Sequence, residues 1–219
     1  MKNRQKLKVC FSLIELLIVI AIIAILSSLL LPSLRSAKMK GKRLQCASRQ
    51  KQIISASYMY VNDYSEYFPA SSPAARWRIK ILPYISNSWA DNWNETDGWQ
   101  KLSSLESVYR CPVTPQKIID LSKFITGIGI NFIVSGSDPL PNKISRVRYP
   151  SETIFCGDTN DNPAAAHYPV HLYKSNDYRN APEGFRHTGG INVGFCDGHA
   201  TWEKRLYLIN NSTLYDLAK

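Results

Sequence analysis

The chain has 219 residues, 44% of them hydrophobic, which allows one modest domain with an appendage, or two small units, around a real core. Its five cysteines, Cys10, Cys46, Cys111, Cys156 and Cys196, are too few for a cysteine-stapled miniprotein, and they show neither a C-x-x-C pair nor a Cys/His cluster at zinc-ligand spacing. The net charge of +10 would suit nucleic acid, but residues 63–219 hold sixteen basic and sixteen acidic groups, so no basic excess remains there to form a reading surface.

The excess charge flanks an apolar run. Residues 1–10 carry Lys2, Arg4, Lys6 and Lys8 and no acid. Residues 33–62 carry Arg35, Lys38, Lys40, Lys42, Arg43, Arg49 and Lys51, again with no acid. Between them Leu13 to Leu31 is apolar except for Glu15, Ser27 and Ser28, close to the ~20 residues that span a bilayer as a helix. Basic flanks of this kind fit anionic lipid head groups. A cleaved secretory signal would have a shorter apolar core before a small-residue cut site, and a lipoprotein signal would put its cysteine after the run, whereas Cys10 precedes it. Glu15 distinguishes the segment from a plain anchor, because a carboxylate in an apolar helix is costly and normally has a partner, unless it snorkels to the interface.

Beyond Pro32 the pattern remains helical to about Asn62. Leu34, Ala37, Gly41, Leu44, Ala47, Ile54, Tyr58 and Val61 form one apolar stripe, with a gap near Lys51. Pro32 should kink this helix rather than end it, since both flanks favour helix. Membrane part and stalk together would run about 75 Å at 1.5 Å per residue. The C-terminal half of the stripe is expected to pack against the head and the N-terminal half on other helices. Asn62-Asp63 and Phe68-Pro69 mark the exit.

From Ala70 to about Gln116 the chain is rich in Trp, Ser and Asn, which predicts loops with short strands over an aromatic core. Trp77, Trp89, Trp93 and Trp99 could instead form a glycan-binding platform, although buried tryptophan is the commoner case. Later runs read as strands: Thr153 to Cys156, Ile191 to Cys196 and His199 to Glu203. The last two flank Asp197-Gly198, a two-residue hairpin signal, and Gly189-Gly190 supplies the turn before them. The C-terminal half is therefore expected to be an antiparallel sheet packed on the helix. His187, Asp197, His199 and Asp158 could form a metal or acid–base site. The simpler reading gives Asp197 to the turn and has His187 bond to backbone. Asp158, Asn160 and Asn162 offer oxygens at alternate positions as calcium loops do, without the Gly and distal Glu of an EF-hand. With no nucleophile elbow, phosphate loop or zinc motif, the sequence reads as a non-enzyme.

Phe11-Ser12-Leu13-Ile14-Glu15-Leu16-Leu17-Ile18-Val19-Ile20-Ala21-Ile22-Ile23-Ala24-Ile25-Leu26, with the basic leader before it and Pro32 after it, resembles the N-terminal signature of type IV prepilins and type II secretion pseudopilins. The resemblance implies cleavage between Cys10 and Phe11 by a membrane prepilin peptidase that also N-methylates Phe11; Cys10 stands where the family usually has Gly. It implies that Glu15 pairs with the new amino terminus of a neighbouring subunit, two costly buried charges becoming tolerable together. It also implies the helix proline at Pro32. Cys46 to Ile53, then Tyr58-Met59-Tyr60, then Asp63 to Pro69, narrow the likeness to a pilin-like group abundant in planctomycete and lentisphaera-type bacteria. Cys111-Pro112 and the H-x9-D-G motif of His187, Asp197 and Gly198 fit the same group.

The expectation is thus an α+β, pilin-like chain. It comprises a leader (1–10), a transmembrane and assembly helix (11–32), a helical stalk (33–62) and a β-rich head (63–219) ending in the H-x9-D-G hairpin. What the resemblance implies is a structural subunit of a type IV pilus-like fibre or a type II secretion pseudopilus, with no cofactor, calcium being the one candidate. Its partners would be like subunits, the prepilin peptidase, an assembly platform and the membrane. It would be a single-pass inner-membrane protein with its head extracytoplasmic, then part of an extracellular or periplasmic fibre. The charge count points the other way, with four basic residues before the span and seven after it; the orientation follows the resemblance. The alternative is a pilin-anchored surface protein that binds glycans through its Trp-rich head. In an oxidising compartment four cysteines allow three pairings. Cys156 and Cys196 each end an apolar strand run, and Cys111 precedes a Pro that would turn the chain across Cys46 on the stalk. Cys46–Cys111 and Cys156–Cys196 are the expected bonds, with four buried thiols as the alternative.

Overall fold

The computed structural model describes residues 12–70, 76–85, 106–113, 127–137, 140–159, 171–172, 187–204, 207–208, 211 and 214. Cys10 and Phe11, and with them the expected cleavage site, lie outside these residues, as do Trp89, Trp93, Trp99, Asn160 and Asn162. The chain divides into two compact units, Met1–Lys40 and Gly41–Lys219, so the boundary falls inside the first helix.

Helix α1 runs from Leu13 to Asp63 without interruption, through Pro32. Pro32 lacks the N–H that would bond the carbonyl one turn back, yet both flanks stay helical, as their composition requires. The helix starts at a reciprocal cap: Ser12 Oγ accepts from Ile14 N at 3.3 Å and Glu15 Oε2 accepts from Ser12 N at 2.9 Å. Its apolar residues from Leu13 to Leu31 are exposed, and this part is long and apolar enough to cross a membrane.

In the second unit α1 buries Cys46, Gln50, Ile53, Ile54, Ala56, Ser57, Tyr60 and Val61. This face is not quite the expected stripe. Ile54 and Val61 are inside it, but Leu44 is exposed, and the apparent gap near Lys51 is filled by the buried amide of Gln50. At the exit, Glu66 N donates to Val61 O, and Phe68 N donates to Asn142 O. Helix α2, Arg76–Ile85, follows where loops and short strands are predicted. Trp77, Ile81 and Leu82 are fully buried, and their burial outweighs the cost of Pro83 inside the helix. A single turn, α3 (Glu106–Tyr109), leads to Cys111.

Strand β1 (Ile128–Asn131) leads into the short helix α4 (Phe132–Ser135) and a small ladder of β2 (Gly136–Ser137) with β3 (Leu140–Pro141). The main sheet adds β4 (Ile154–Asp158), β5 (His171–Leu172), β6 (Gly190–Phe195) and β7 (Ala200–Lys204), in the order β5-β1-β4-β6-β7. The β1–β4, β4–β6 and β6–β7 pairs are antiparallel, as expected for the C-terminal half, whereas β5 joins β1 in parallel. The protein is therefore α+β: a long N-terminal helix whose C-terminal part packs against a small, mainly antiparallel sheet.

Because side chains alternate across a strand, β6 serves two layers. Ile191, Val193 and Phe195 join Ile154, Leu208 and Leu214 in one apolar cluster. Asn192 and Gly194 turn to α1: Asn192 Nδ2 donates to Arg43 O at 3.0 Å, and Gly194 lies against Ile54. The α1 side of the sheet carries the main core, with Phe68, Trp77, Tyr109, Ile128, Ile130, Phe155 and Cys156. A register shift between Ile154 and Cys156 sets the phase of β4.

Candidate functional site

The last two strands frame both halves of the H-x9-D-G motif. At the β6–β7 turn, Gly198 N donates to Phe195 O at 3.1 Å and Phe195 N donates to His199 O at 2.8 Å. The loop is thus three residues, Cys196 to Gly198, rather than the two expected. Gly198 has φ 97°, the left-handed position that follows a type I turn in such loops. Asp197 serves this turn: its Oδ1 accepts from His199 N at 3.0 Å and lies 2.5 Å from His199 Nδ1, with both side chains partly exposed.

His187 sits at the other end of β6 and does something different. Its backbone locks the hairpin, His187 N donating to Gly190 O and His187 O accepting from Trp202 Nε1 at 2.8 Å. Its imidazole does not bond to backbone as expected. Fully buried, it points Nε2 at Asp158 Oδ2 (3.3 Å) and Cys111 Sγ (3.4 Å). The four residues His187, Asp197, His199 and Asp158 therefore separate into two pairs at opposite ends of a strand, not one site.

Around His187 and Asp158 four donors converge. Cys46 comes from α1, Cys111 from the segment after α3, Asp158 from the end of β4 and His187 from the turn before β6. One ligand atom from each lies within 4.8 Å of the others, and all four residues are buried. Cys46 Sγ is 3.0 Å from Asp158 Oδ1. The Asp158 carboxylate is held by two more donors, Asn192 N on Oδ2 at 2.9 Å and Gln50 Nε2 on Oδ1 at 3.3 Å. Gln50 Nε2 also reaches Asn192 O at 3.1 Å, which explains a buried amide on the apolar side of α1. Asp158 is turned inward, so its carboxylate is committed to this cluster and not to a calcium loop.

Electrostatics follow from burial and neighbours. Burial pushes the His187 pKa down, but the hydrogen bonds and charges of Asp158 and Cys111 more than offset it and raise it to about 9. The Cys46 thiol is held well above the ordinary thiol range by its hydrogen bond to Cys111, then by burial and by Asp158. Burial also raises Cys156 and Cys196.

None of the four described cysteines is in a disulfide. The expected Cys156–Cys196 bond is overturned by the register. Cys156 stands opposite Gly194, while Cys196 N donates to Thr153 O, three residues away along β4. The bulge takes up one of those residues: along β6 Cys196 is two residues past Gly194, and at about 3.3 Å per residue, with about 4.8 Å between strands, the two Cα atoms are roughly 8 Å apart, beyond disulfide reach. Cys46 and Cys111 are near each other, as expected, but unbonded: one sulfur faces a carboxylate oxygen and the other an imidazole nitrogen. The cluster was invisible to motif spacing, because its donors lie 65, 47 and 29 residues apart in the chain. The one signal was that Cys46, Cys111 and His187 were each landmarks of the same resemblance. Comparison of the chain with family models, curated proteins and solved structures finds no match.

Proposed function

We propose that the chain is a pilin-like subunit of a type IV pilus-like fibre or type II secretion pseudopilus, processed at Phe11 and assembled through its N-terminal helix. The observation that carries this reading is Glu15, a single carboxylate at the start of a helix that is otherwise apolar to Ser27 and continues through Pro32. A lone anchor needs only apolar side chains, and an acid there returns no more than its cap on Ser12 N against the cost of insertion. A helix that also packs among like helices gains from that acid when a neighbour's ammonium meets it. The exposed apolar surface from Leu13 to Leu31 needs lipid or other helices around it. The second unit then serves as the part of the subunit that each helix carries outside the cytoplasm.

The glycan-binding alternative loses Trp77, which is fully buried against Tyr109, and would rest on Trp89, Trp93 and Trp99. Mass spectrometry of the protein extracted from membranes of cells with an active prepilin peptidase tests the main reading. The expected product begins at an N-methylated Phe11. A chain that keeps Met1 to Cys10 in those cells would overturn it.

A further inference from the structure

We propose that Cys46, Cys111, Asp158 and His187 form a structural site for a thiophilic divalent cation, zinc above all, that ties α1, the Cys111 segment, β4 and β6 together. The inference rests on the second unit alone and does not depend on the pilin-like reading.

The donor set is the first support. Two sulfurs, an imidazole nitrogen and a carboxylate oxygen form a mixed set that zinc accepts in tetrahedral sites. The spacing is the second. Donors at about 2.0–2.3 Å from a tetrahedral ion lie about 3.3–3.8 Å apart. The closest contacts are 3.0 Å for Cys46 Sγ to Asp158 Oδ1, 3.3 Å for His187 Nε2 to the other carboxylate oxygen, Oδ2, and 3.4 Å for Cys111 Sγ to His187 Nε2, and the four ligand atoms all lie within 4.8 Å of one another, slightly wider than a closed tetrahedron. Small side-chain rotations would bring all four onto one ion. The surroundings are the third. Asn192 N and Gln50 Nε2 orient the carboxylate from behind, as partners beyond the ligands do in metal sites.

The rival is a buried His–Asp ion pair with two thiols beside it. Such a pair has no need of two sulfurs brought from α1 and from the Cys111 segment. It would also bury a charged imidazolium, whereas Nδ1, which has no acceptor among the described residues, carries its proton in either case. Ligation through Nε2 instead leaves the ring neutral. In that exchange the ion displaces a proton from each of Cys46 Sγ, Cys111 Sγ and His187 Nε2, with no change of oxidation state. Two thiolates and one carboxylate leave the zinc complex with one negative charge, and the Arg49 guanidinium, which donates to Arg110 O, lies within electrostatic range of both sulfurs to balance it. With four protein ligands and full burial no coordination position faces solvent, which makes the site structural rather than catalytic. An ion here would also keep Cys46 and Cys111 from joining in an oxidising compartment.

The full-length chain, purified in detergent without chelator, should carry about one zinc per chain by elemental analysis. After removal of the metal under reducing conditions, titration with Co2+ should give thiolate-to-cobalt charge transfer and tetrahedral d–d bands that saturate near one equivalent and are displaced by Zn2+. Cys111→Ser and His187→Gln should lose or strongly weaken this uptake. Asp197→Asn, on the exposed turn, should keep it. Should the ligand variants fail to fold, the titration of the unaltered chain decides alone. A folded, reduced chain that takes up neither Zn2+ nor Co2+ overturns the proposal. So does a Cys46–Cys111 disulfide in protein from cells, or an unchanged cobalt spectrum in both ligand variants.

Discussion

Glu15 carries two roles that one substitution can separate. Its carboxylate caps α1 by accepting from Ser12 N, and in the proposed fibre its charge meets a neighbour's amino terminus. Glutamine at the same position of a capping box still accepts that hydrogen bond but carries no charge. Glu15→Ala should remove both roles, weakening the helix start by about 1 kcal/mol, while Glu15→Gln should keep the start and lose only the charge. Both variants are expected to insert in the membrane normally and to be poorly incorporated into fibres, as measured by quantifying the subunit in sheared filaments. Incorporation of Glu15→Gln at the level of the unaltered chain would reduce Glu15 to a cap. The residue scale also shows what a motif conceals. His187 and Asp197 belong to one sequence pattern but not to one site: Asp197 acts through a local turn, whereas His187 reaches residues remote in sequence.

Among the elements, α1, β6 and the packing of the sheet on the helix were expected, but not the residues through which they meet. Hydrophobic periodicity identifies the helix, but it skips Gln50, since a buried amide is recognisable only once Asp158 and Asn192 are beside it. Where α1 meets β6, a Cβ added at Gly194 would lie 2.5 Å from Ile54 Cδ1 and 3.0 Å from Cys156 Sγ, all in fully buried surroundings. Gly194→Ala should therefore destabilise the protein by about 1–3 kcal/mol through overpacking. Ile54→Val removes Cδ1 and alone should cost about 0.5–1.5 kcal/mol. The double variant should be more stable than the sum predicts by about 1 kcal/mol, in chemical denaturation of the detergent-solubilised chain. Strict additivity would show that the two residues do not share that space. Helix α2 was missed because the Trp-, Ser- and Asn-rich composition from Ala70 to about Gln116 reads as loops with short strands. Burial of Trp77, Ile81 and Leu82 decided otherwise, and burial depends on partners that no ten-residue window contains.

At the scale of the whole molecule, the two units pose different problems to the solvent. The exposed apolar residues from Leu13 to Leu31 make a helix long and apolar enough to cross a bilayer, and the basic groups on either side suit anionic head groups. The full chain expressed in bacteria should remain with the membrane pellet through alkaline carbonate extraction and leave it only with detergent. Release by carbonate would contradict a spanning helix. The sequence by itself determined the long helix, its apolar and basic zones and the C-terminal strands, because each rests on neighbours within a few positions: periodicity, turn chemistry, charge. Only the tertiary structure decided that β5 adds in parallel, that Cys156 and Cys196 are out of register, and that Cys46, Cys111, Asp158 and His187 share one buried volume. Those outcomes depend on which strand pairs with which and on how the helix face meets the sheet. Such pairings are set by packing over the whole core, and no local interval in the chain encodes them.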